Sequence, residues 1–368
     1  MRLPQALFLG LWPWTPEPTP STPNTLNFTL RHIHGHKGRQ VVFKDVLERH
    51  RFSIAQHTPQ YETSFALTPV RTKTYKPRSQ AEFFQAREAS LRRQRRKRRG
   101  ELVEDEEVVV AWDEWDVPGP NTGDRETLKV LAKMTWNAYM TPDDGQWYDL
   151  GEDWGTSYPF GWEPDADGFR GHVFVASDNS TVVVSIKGTS AGVLGGGGPT
   201  VIKDKLNDNL MFRQVTGHSL GGSLSGLLGI TFGAPVVTFE APGDKMPARR
   251  LHLPKPPEVQ HVTHIFHTAD PIPMGTCTGV LSSCAIAGFA MESRCHVGKK
   301  RVYDTVTRYG WSQDVRTHRI GVIIDRLLAE DWEEGKPVPD ETTDGPECDQ
   351  QECYYWSYDQ PQNASSFD

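Results

Sequence analysis

Three things are missing from this chain, and each absence excludes a class of protein. Its cysteines never occur as Cys-x-x-Cys, so the ligand spacing of a structural zinc site is lacking. There is no excess of positive charge. The 40 Lys and Arg residues face 47 Asp and Glu, a net charge of −7, which argues against nucleic acid as a partner because phosphate backbones demand a basic face. The start of the chain also lacks a long apolar stretch. One Arg precedes a run of seven residues, Ala6–Trp12, whereas a helix crossing a bilayer needs about 20. That run reads equally as a short signal-peptide core without a clear small-x-small cleavage site, or as a disordered start.

What is present fits a soluble globular protein with polar, loosely folded segments. Hydrophobic residues make up 37 % and charged residues 24 % of 368 positions, enough for one large domain or two modest ones. The five cysteines, at 277, 284, 295, 348 and 353, all lie in the last quarter. Disulfides in an oxidising compartment suit that clustering, and the odd number leaves at least one sulfur without an internal partner. N-glycosylation sequons at Asn27, Asn179 and Asn363 agree with secretion but add little weight.

Composition divides the chain into four parts. Residues 1–25 hold the apolar start and a proline-rich linker, "WTPEPTPSTPN". An accessory region follows over 26–125. Within it "LRHIHGH" alternates as a strand would, with His32, His34 and His36 on one face, and a half-exposed strand is the commoner outcome than a metal site. The basic block Arg92–Arg99 predicts a solvated helix that breaks at Gly100. Residues 126–334 change character. "TLKVLAKMTWNAYM" has helical spacing, "GHVFVA" and "TVVVSIKGT" read as a hairpin, "PVVTFEAPG" and "HVTHIFHTAD" as strands, and "IGVIIDRLLAEDWEE" as a long amphipathic helix. Strands alternating with helices predict an α/β domain. Residues 335–368 form an acidic tail.

The chemistry concentrates in "TGHSLGGSLSG", residues 216–226. Gly217-His218-Ser219-Leu220-Gly221 fits the G-x-S-x-G elbow, in which a serine sits on a strained turn between strand and helix. Side chains two residues to either side would clash there, and glycine avoids that. The small residues that follow let a helix pack tightly beneath the turn, and its amino terminus favours a developing oxyanion. An acyl-transfer serine needs a base and an acid behind it, in this fold in the order Ser, Asp or Glu, His. Asp270 follows an apolar strand; Glu240 and Asp244 are rival acids placed early for that order. His318 precedes the amphipathic helix, and His296, beside Cys295, is its rival as base. A structural role suits His261, His264 and His267 better than a metal site, and His218 is expected to pack beside the elbow. Leu220 and a residue near Thr189, at the end of "VVVSIKGT", are candidates for the oxyanion amides. The glycines 195–198 suggest a phosphate cradle, but no Gly-Lys-Ser/Thr follows, and a mobile connector is expected instead. No cofactor and no metal is expected.

Several strings together resemble the fungal autophagy-related lipase family, which are class 3 lipases: "SIKGTSAGVLGGGGPT", "KLNDNLMF", "TGHSLGGSLSGLLG", "TFEAPGDKMPARRLHLP", "HTADPIPMG", "ESRCHVGK" and "WSQDVRTHRIG". The likeness spans about residues 128–332. It implies an α/β-hydrolase fold with a mostly parallel sheet, and hydrolysis of acyl esters in triacylglycerols and membrane phospholipids. It further implies a lipid substrate in vesicle membranes, contact with a membrane surface, and delivery through endosomes and multivesicular bodies to the vacuole by an N-terminal signal-anchor. Matched motif by motif, Ser219 becomes nucleophile, Asp270 acid and His318 base.

Two departures from the family set expectations of their own. From Ser190 to Thr216 there are 27 residues, many of them in the glycine-rich loop. Little remains for a crossover helix and the strand that feeds the elbow, since a parallel crossover needs at least about 10–12 residues. Relatives carry a longer, cysteine-containing segment, so a deletion between Asn209 and Gln214 is expected, with "RQVT" as a stunted strand and the sheet left incomplete before the elbow. Relatives also begin with an apolar run long enough to span a membrane, which "ALFLGLW" is not. A catalytically impaired isoform that still binds membranes therefore stands as the alternative to an active lipase.

Overall fold

β-branched runs supply the strands, and small residues let the helices lie close to them. The structure, a computed structural model, describes residues 32–37, 40–45, 69–102, 109–148, 150, 157–162, 170–176, 182–188, 215–279, 281–286, 293–329 and 337–349. Strands β1 (His32–Lys37) and β2 (Gln40–Asp45) pair antiparallel, as the alternation of "LRHIHGH" predicts for the first of them. Strands β3 (Pro69–Pro77) and β4 (Trp112–Pro120) form a second antiparallel pair. Between them runs helix α1, Gln80–Arg98, opened by Ser79, whose hydroxyl accepts from the Glu82 amide at 3.2 Å.

Helix α1 is less solvated than its charge suggests. Phe83 and Ala86 are buried, the Arg87 guanidinium donates to the Leu251 carbonyl at 2.8 Å, and Ser90 bonds His252 at 2.8 Å. Its basic end is exposed for the most part, and Gly100 takes the positive φ of 75° at which the helix stops.

The main sheet has eight strands: β5 (Tyr158–Phe160), β6 (Gly171–Val175), β7 (Val182–Ile186), β8 (Val215–His218), β9 (Val236–Phe239), β10 (Val262–His267), β11 (Lys299–Tyr303) and β12 (Thr342–Thr343). They lie in the order β12-β11-β10-β9-β8-β7-β6-β5. β7 to β11 run parallel, while β5, β6 and β12 are antiparallel to their neighbours. The fold is mixed α/β with a mostly parallel sheet. β8 is short, but it pairs in parallel with β7 on one side and β9 on the other. The strand feeding the elbow, expected as the stunted "RQVT" (213–216), is described over Val215–His218; residues 213 and 214 lie outside the described residues.

Strand alternation sends side chains to two faces, and helices cover both. Leu128, Leu131 and Met134 of α2 (Arg125–Asn137) pack with Val237, Phe239, Ile265 and Phe174. Leu228 and Ile230 of α3 (Leu220–Phe232) pack with Ile186, Val236 and Val262 on the opposite face. α3 ends at Gly233, left-handed at φ 64°, whose carbonyl accepts from the Thr74 hydroxyl at 2.6 Å. The β3–β4 pair is anchored there.

Short helices α4 (Lys245–Arg250), α5 (Ser283–Ile286) and α6 (Thr305–Tyr309) decorate the later strands. The amphipathic helix expected from Ile320 differs from its prediction. One turn of α-helix, α7 (Ile320–Val322), passes into a π-helical turn over Ile323–Leu327, and residues 330–336 lie outside the described set. Ile320, Ile323, Ile324, Leu327 and Leu328 are all buried against α2 and the sheet, so the apolar face does what its spacing implied.

Disulfides join Cys277 to Cys284 and Cys295 to Cys348. The second ties residues 337–349 to the sheet, helped by the Lys300–Asp344 ion pair and by Lys299 to Glu341 at 2.6 Å. Cys353, the odd sulfur, lies outside the described residues, as do Asn27, Asn179, Asn363, Thr189 and the apolar run at 6–12. Among the described residues no helix is long and apolar enough to cross a membrane.

Candidate active site

The elbow begins with a backbone conformation that L-residues avoid. Ser219, at φ 57° and ψ −133°, is one of three described non-glycine residues with positive φ, a cost of about 1–3 kcal/mol that surrounding bonds must offset. The Ser219 amide donates to the Phe239 carbonyl at 3.1 Å, and the Ser219 carbonyl accepts from the Gly222 amide at 2.9 Å. The flanking glycines explain themselves by distance. A Cβ on Gly217 would stand 2.4 Å from the Gly221 carbonyl oxygen, and one on Gly221 2.4 Å from that of Ile186.

Three elements meet over this turn. Asp270 comes three residues after β10, fully buried, its Oδ1 accepting from the Ile272 amide at 2.9 Å. His318 follows a 3-10 turn, Val315–Thr317, whose leading Asp314 accepts from the Arg316 amide. His318 Nδ1 lies 2.6 Å from Asp270 Oδ2, and His318 Nε2 lies 2.8 Å from Ser219 Oγ. Nucleophile, imidazole and carboxylate thus form one chain of contacts in the sense that proton transfer from serine requires. Burial alone would push the Asp270 carboxyl up. His318, the neighbouring Glu240 and the Ile272 amide outweigh it and hold the pKa below the ordinary value.

The rival acids and base part company here. Asp244 sits elsewhere, accepting from the Val297 amide at 2.8 Å, with its other oxygen 3.7 Å from His264 Nε2. His296 is bonded to the carbonyls of Ala241 and Arg294. Glu240 does reach the site: its carboxyl, that of Asp270 and the His318 imidazole lie within 4.8 Å of one another. His261 bonds the Gly229 carbonyl, and His264 bonds Thr238 and the Val297 carbonyl, so both belong to the packing. The other described cluster with metal-ligand chemistry, Cys295, Asp344 and Cys348, has both sulfurs in a disulfide.

Leu220 opens α3, where a first-turn amide has no acceptor within the helix. That amide fits the oxyanion role. Sequence reasoning missed Tyr139, which contacts His218 beside the elbow. Its hydroxyl lies 2.7 Å from His218 Nδ1 and 3.1 Å from the Gly188 amide. His218 in turn lies ring against ring with His318, centroids 4.7 Å apart. Burial, reinforced by the neighbouring His318, pushes the His218 pKa well down, so it flanks the base as a neutral ring. A tyrosine just past a helix has no sequence signal of its own.

Buried histidines give the molecule a defined acid sensitivity. Burial lowers His172, His261 and His267 to about 4. A group whose folded pKa lies below its unfolded value of about 6.5 stabilises the fold fully above that value, and the contribution is lost as pH falls toward 4. His261→Gln keeps a donor for the Gly229 carbonyl and cannot titrate. The variant is expected to gain about 2 kcal/mol on the wild type between pH 7 and pH 5, measured by urea unfolding. An unchanged difference across that range would contradict the assignment.

Comparison with curated proteins bears on this arrangement. No protein-family model matches the chain. A protein of Cryptococcus neoformans var. neoformans serotype D (strain B-3501A), named "Putative lipase ATG15", is 47 % identical over 290 residues, covering 61 % of this chain and 56 % of the relative. Proteins of the same name from Mycosarcoma maydis and Saccharomyces cerevisiae (strain ATCC 204508 / S288c) are 39 % and 38 % identical, covering 61 % and 70 % of this chain and 55 % and 60 % of their own. The chain therefore spans a little over half the length of the curated relatives it matches. The 290 aligned positions of the first also exceed the 61 % share of this chain, so within the matched span that relative carries residues without a counterpart here. Over that shared stretch, this chain is similar to the fungal proteins named putative lipase ATG15.

Proposed function

We propose that this chain is a serine carboxylic ester hydrolase of α/β-hydrolase fold, a lipase that cleaves acyl esters of triacylglycerols and membrane phospholipids. The observation that carries the reading is the contact chain from Ser219 Oγ through His318 to Asp270. His318 Nε2 takes the Oγ proton as Ser219 adds to the ester carbonyl. Asp270 fixes the imidazole and balances its transient positive charge, and the Leu220 amide, with one from the loop near Thr189, receives the oxyanion. His318 then hands the proton to the departing alcohol, and water repeats the sequence to free the acid.

Substrate presentation would fall to the loop beyond Asp270. Leu281 and Ile286, at and beside the Cys277–Cys284 bridge, are 86 % and 76 % exposed, while Ile272 and the two sulfurs pack inward with Val315 near the base. Apolar tips on a clamped loop suit insertion between lipid chains. By kinship with proteins of this name, the setting is autophagy: lysis of autophagic bodies and of multivesicular-body vesicles in the vacuole, reached through the endosomal membrane.

Fatty-acid release from phosphatidylcholine vesicles and from a triacylglycerol emulsion tests the reading. Wild-type protein should release acid from both and Ser219→Ala from neither. Protein that sediments with the vesicles yet releases nothing would replace it with the impaired, membrane-binding isoform.

A further inference from the structure

Behind the triad lies a second acid that the reaction outlined above does not use. Glu240 follows β9, adjacent to the β10 that leads to Asp270, and it is fully buried. Its backbone is held at φ 48°, unusual for a glutamate, by a 2.9 Å bond from its amide to the Ile265 carbonyl. The fold thus places this carboxyl deliberately, against strain, beside another carboxyl.

The titratable groups that face it are Asp270 and His267 from the β10 side and His318 from the loop before α7. His267 Nε2 approaches Glu240 Oε1 only to 3.5 Å, and among the described residues neither of those two atoms has a hydrogen-bond partner. Two charged carboxylates have no hydrogen bond to offer each other, and both buried Glu240 oxygens then stand unsatisfied among the described residues. One proton resolves this. A neutral Glu240 becomes a donor, and the nearest acceptor is Asp270. Burial first, then the Asp270 charge, push the Glu240 carboxyl well above its ordinary pKa, while Asp270 is held below its own. The pair divides into one acid and one carboxylate.

We propose that Glu240 is a positioning residue of the triad, whose neutral carboxyl donates a hydrogen bond to Asp270 and holds that carboxylate in register with His318. This rests on the serine-hydrolase reading. It adds that the site contains an acid pair, of which Asp270 is the charged member and Glu240 the proton carrier.

Two variants test it, assayed on a soluble p-nitrophenyl ester so that vesicle binding plays no part. Glu240→Gln retains a donor toward Asp270 without a titrating proton; Glu240→Leu fills the space and donates nothing. Expected for Glu240→Leu is a kcat at least about 10-fold lower with KM changed less than about 2-fold. Glu240→Gln should keep kcat within about 3-fold and lack the alkaline decline expected of the wild type when Glu240 ionises. Should Glu240→Leu fail to fold, the alkaline limb of Glu240→Gln decides alone. Wild-type kcat and pH profile in Glu240→Leu would overturn the proposal, as would Glu240→Gln that is as impaired as Glu240→Leu or that keeps the alkaline decline. Absence of fluorophosphonate labelling of Ser219 in the wild type would instead overturn the hydrolase reading itself.

Discussion

His318→Ala is expected to lower kcat/KM by about 10⁴- to 10⁶-fold, and adding Ser219→Ala to it should lower the rate no further. The reason is the single contact chain at the site. Among the described residues the acceptor for the Ser219 Oγ proton is His318 Nε2, 2.8 Å away, and without it the hydroxyl is an ordinary weak nucleophile. Two groups that act only together cannot be removed twice. Asp270→Asn should cost about 10⁴-fold, because an amide facing His318 Nδ1 at 2.6 Å can favour the wrong tautomer. Steady-state rates on a soluble ester, with fluorophosphonate labelling to count active sites, provide the measurement. Additive losses in the double variant would show that His318 and Ser219 act separately, and the triad would fall.

Much of this site was legible because its chemistry needs residue types that a short string displays. G-x-S-x-G announces a serine at a turn, chain order set Asp270 above the earlier acids, and the family resemblance singled out His318 over His296; the fold brings Ser219, Asp270 and His318 together. Glu240 was visible as a rival acid, but its contact with Asp270 depends on β9 lying beside β10, a pairing between residues 26 positions apart that no local pattern encodes. Tyr139 was invisible for the same reason: it meets His218 across 79 positions. The helix from Ile320 shows a different limit. Its apolar spacing correctly marked Ile320, Ile323, Ile324 and Leu327 for burial, yet periodicity does not separate an α-helical turn from the π-helical one found at Ile323–Leu327. β8 bears on a length argument. Counting residues before the elbow predicted a stunted strand; β8 is four residues long and pairs in parallel on both sides, while residues 189–214, where the deletion is expected, lie outside the described residues.

Gly221→Ala should be a severely damaging small substitution at the elbow, destabilising the protein on the order of 3–5 kcal/mol and abolishing labelling of the fraction that remains folded. The added methyl would meet the Ile186 carbonyl oxygen at 2.4 Å, the Lys187 carbonyl carbon at 2.8 Å and the Gly188 amide at 2.9 Å. All three are backbone atoms at the end of β7, a strand held between β6 and β8, so no side chain can swing aside. Relief must come from pushing α3 away from the sheet. That motion carries Leu220 and Ser219 with it, and a displacement of about 1 Å at a reacting oxygen can cost about 10²-fold in rate even where the fold survives. Gly145→Ala is the matched control, since a methyl there meets nothing within 4 Å. It should change stability by less than about 0.5 kcal/mol. Urea unfolding of both variants, with probe labelling at equal folded concentration, separates the two effects. If Gly221→Ala unfolds at the wild-type midpoint and labels at the wild-type rate, the close approach of α3 to β7 is not what holds the serine in its strained turn.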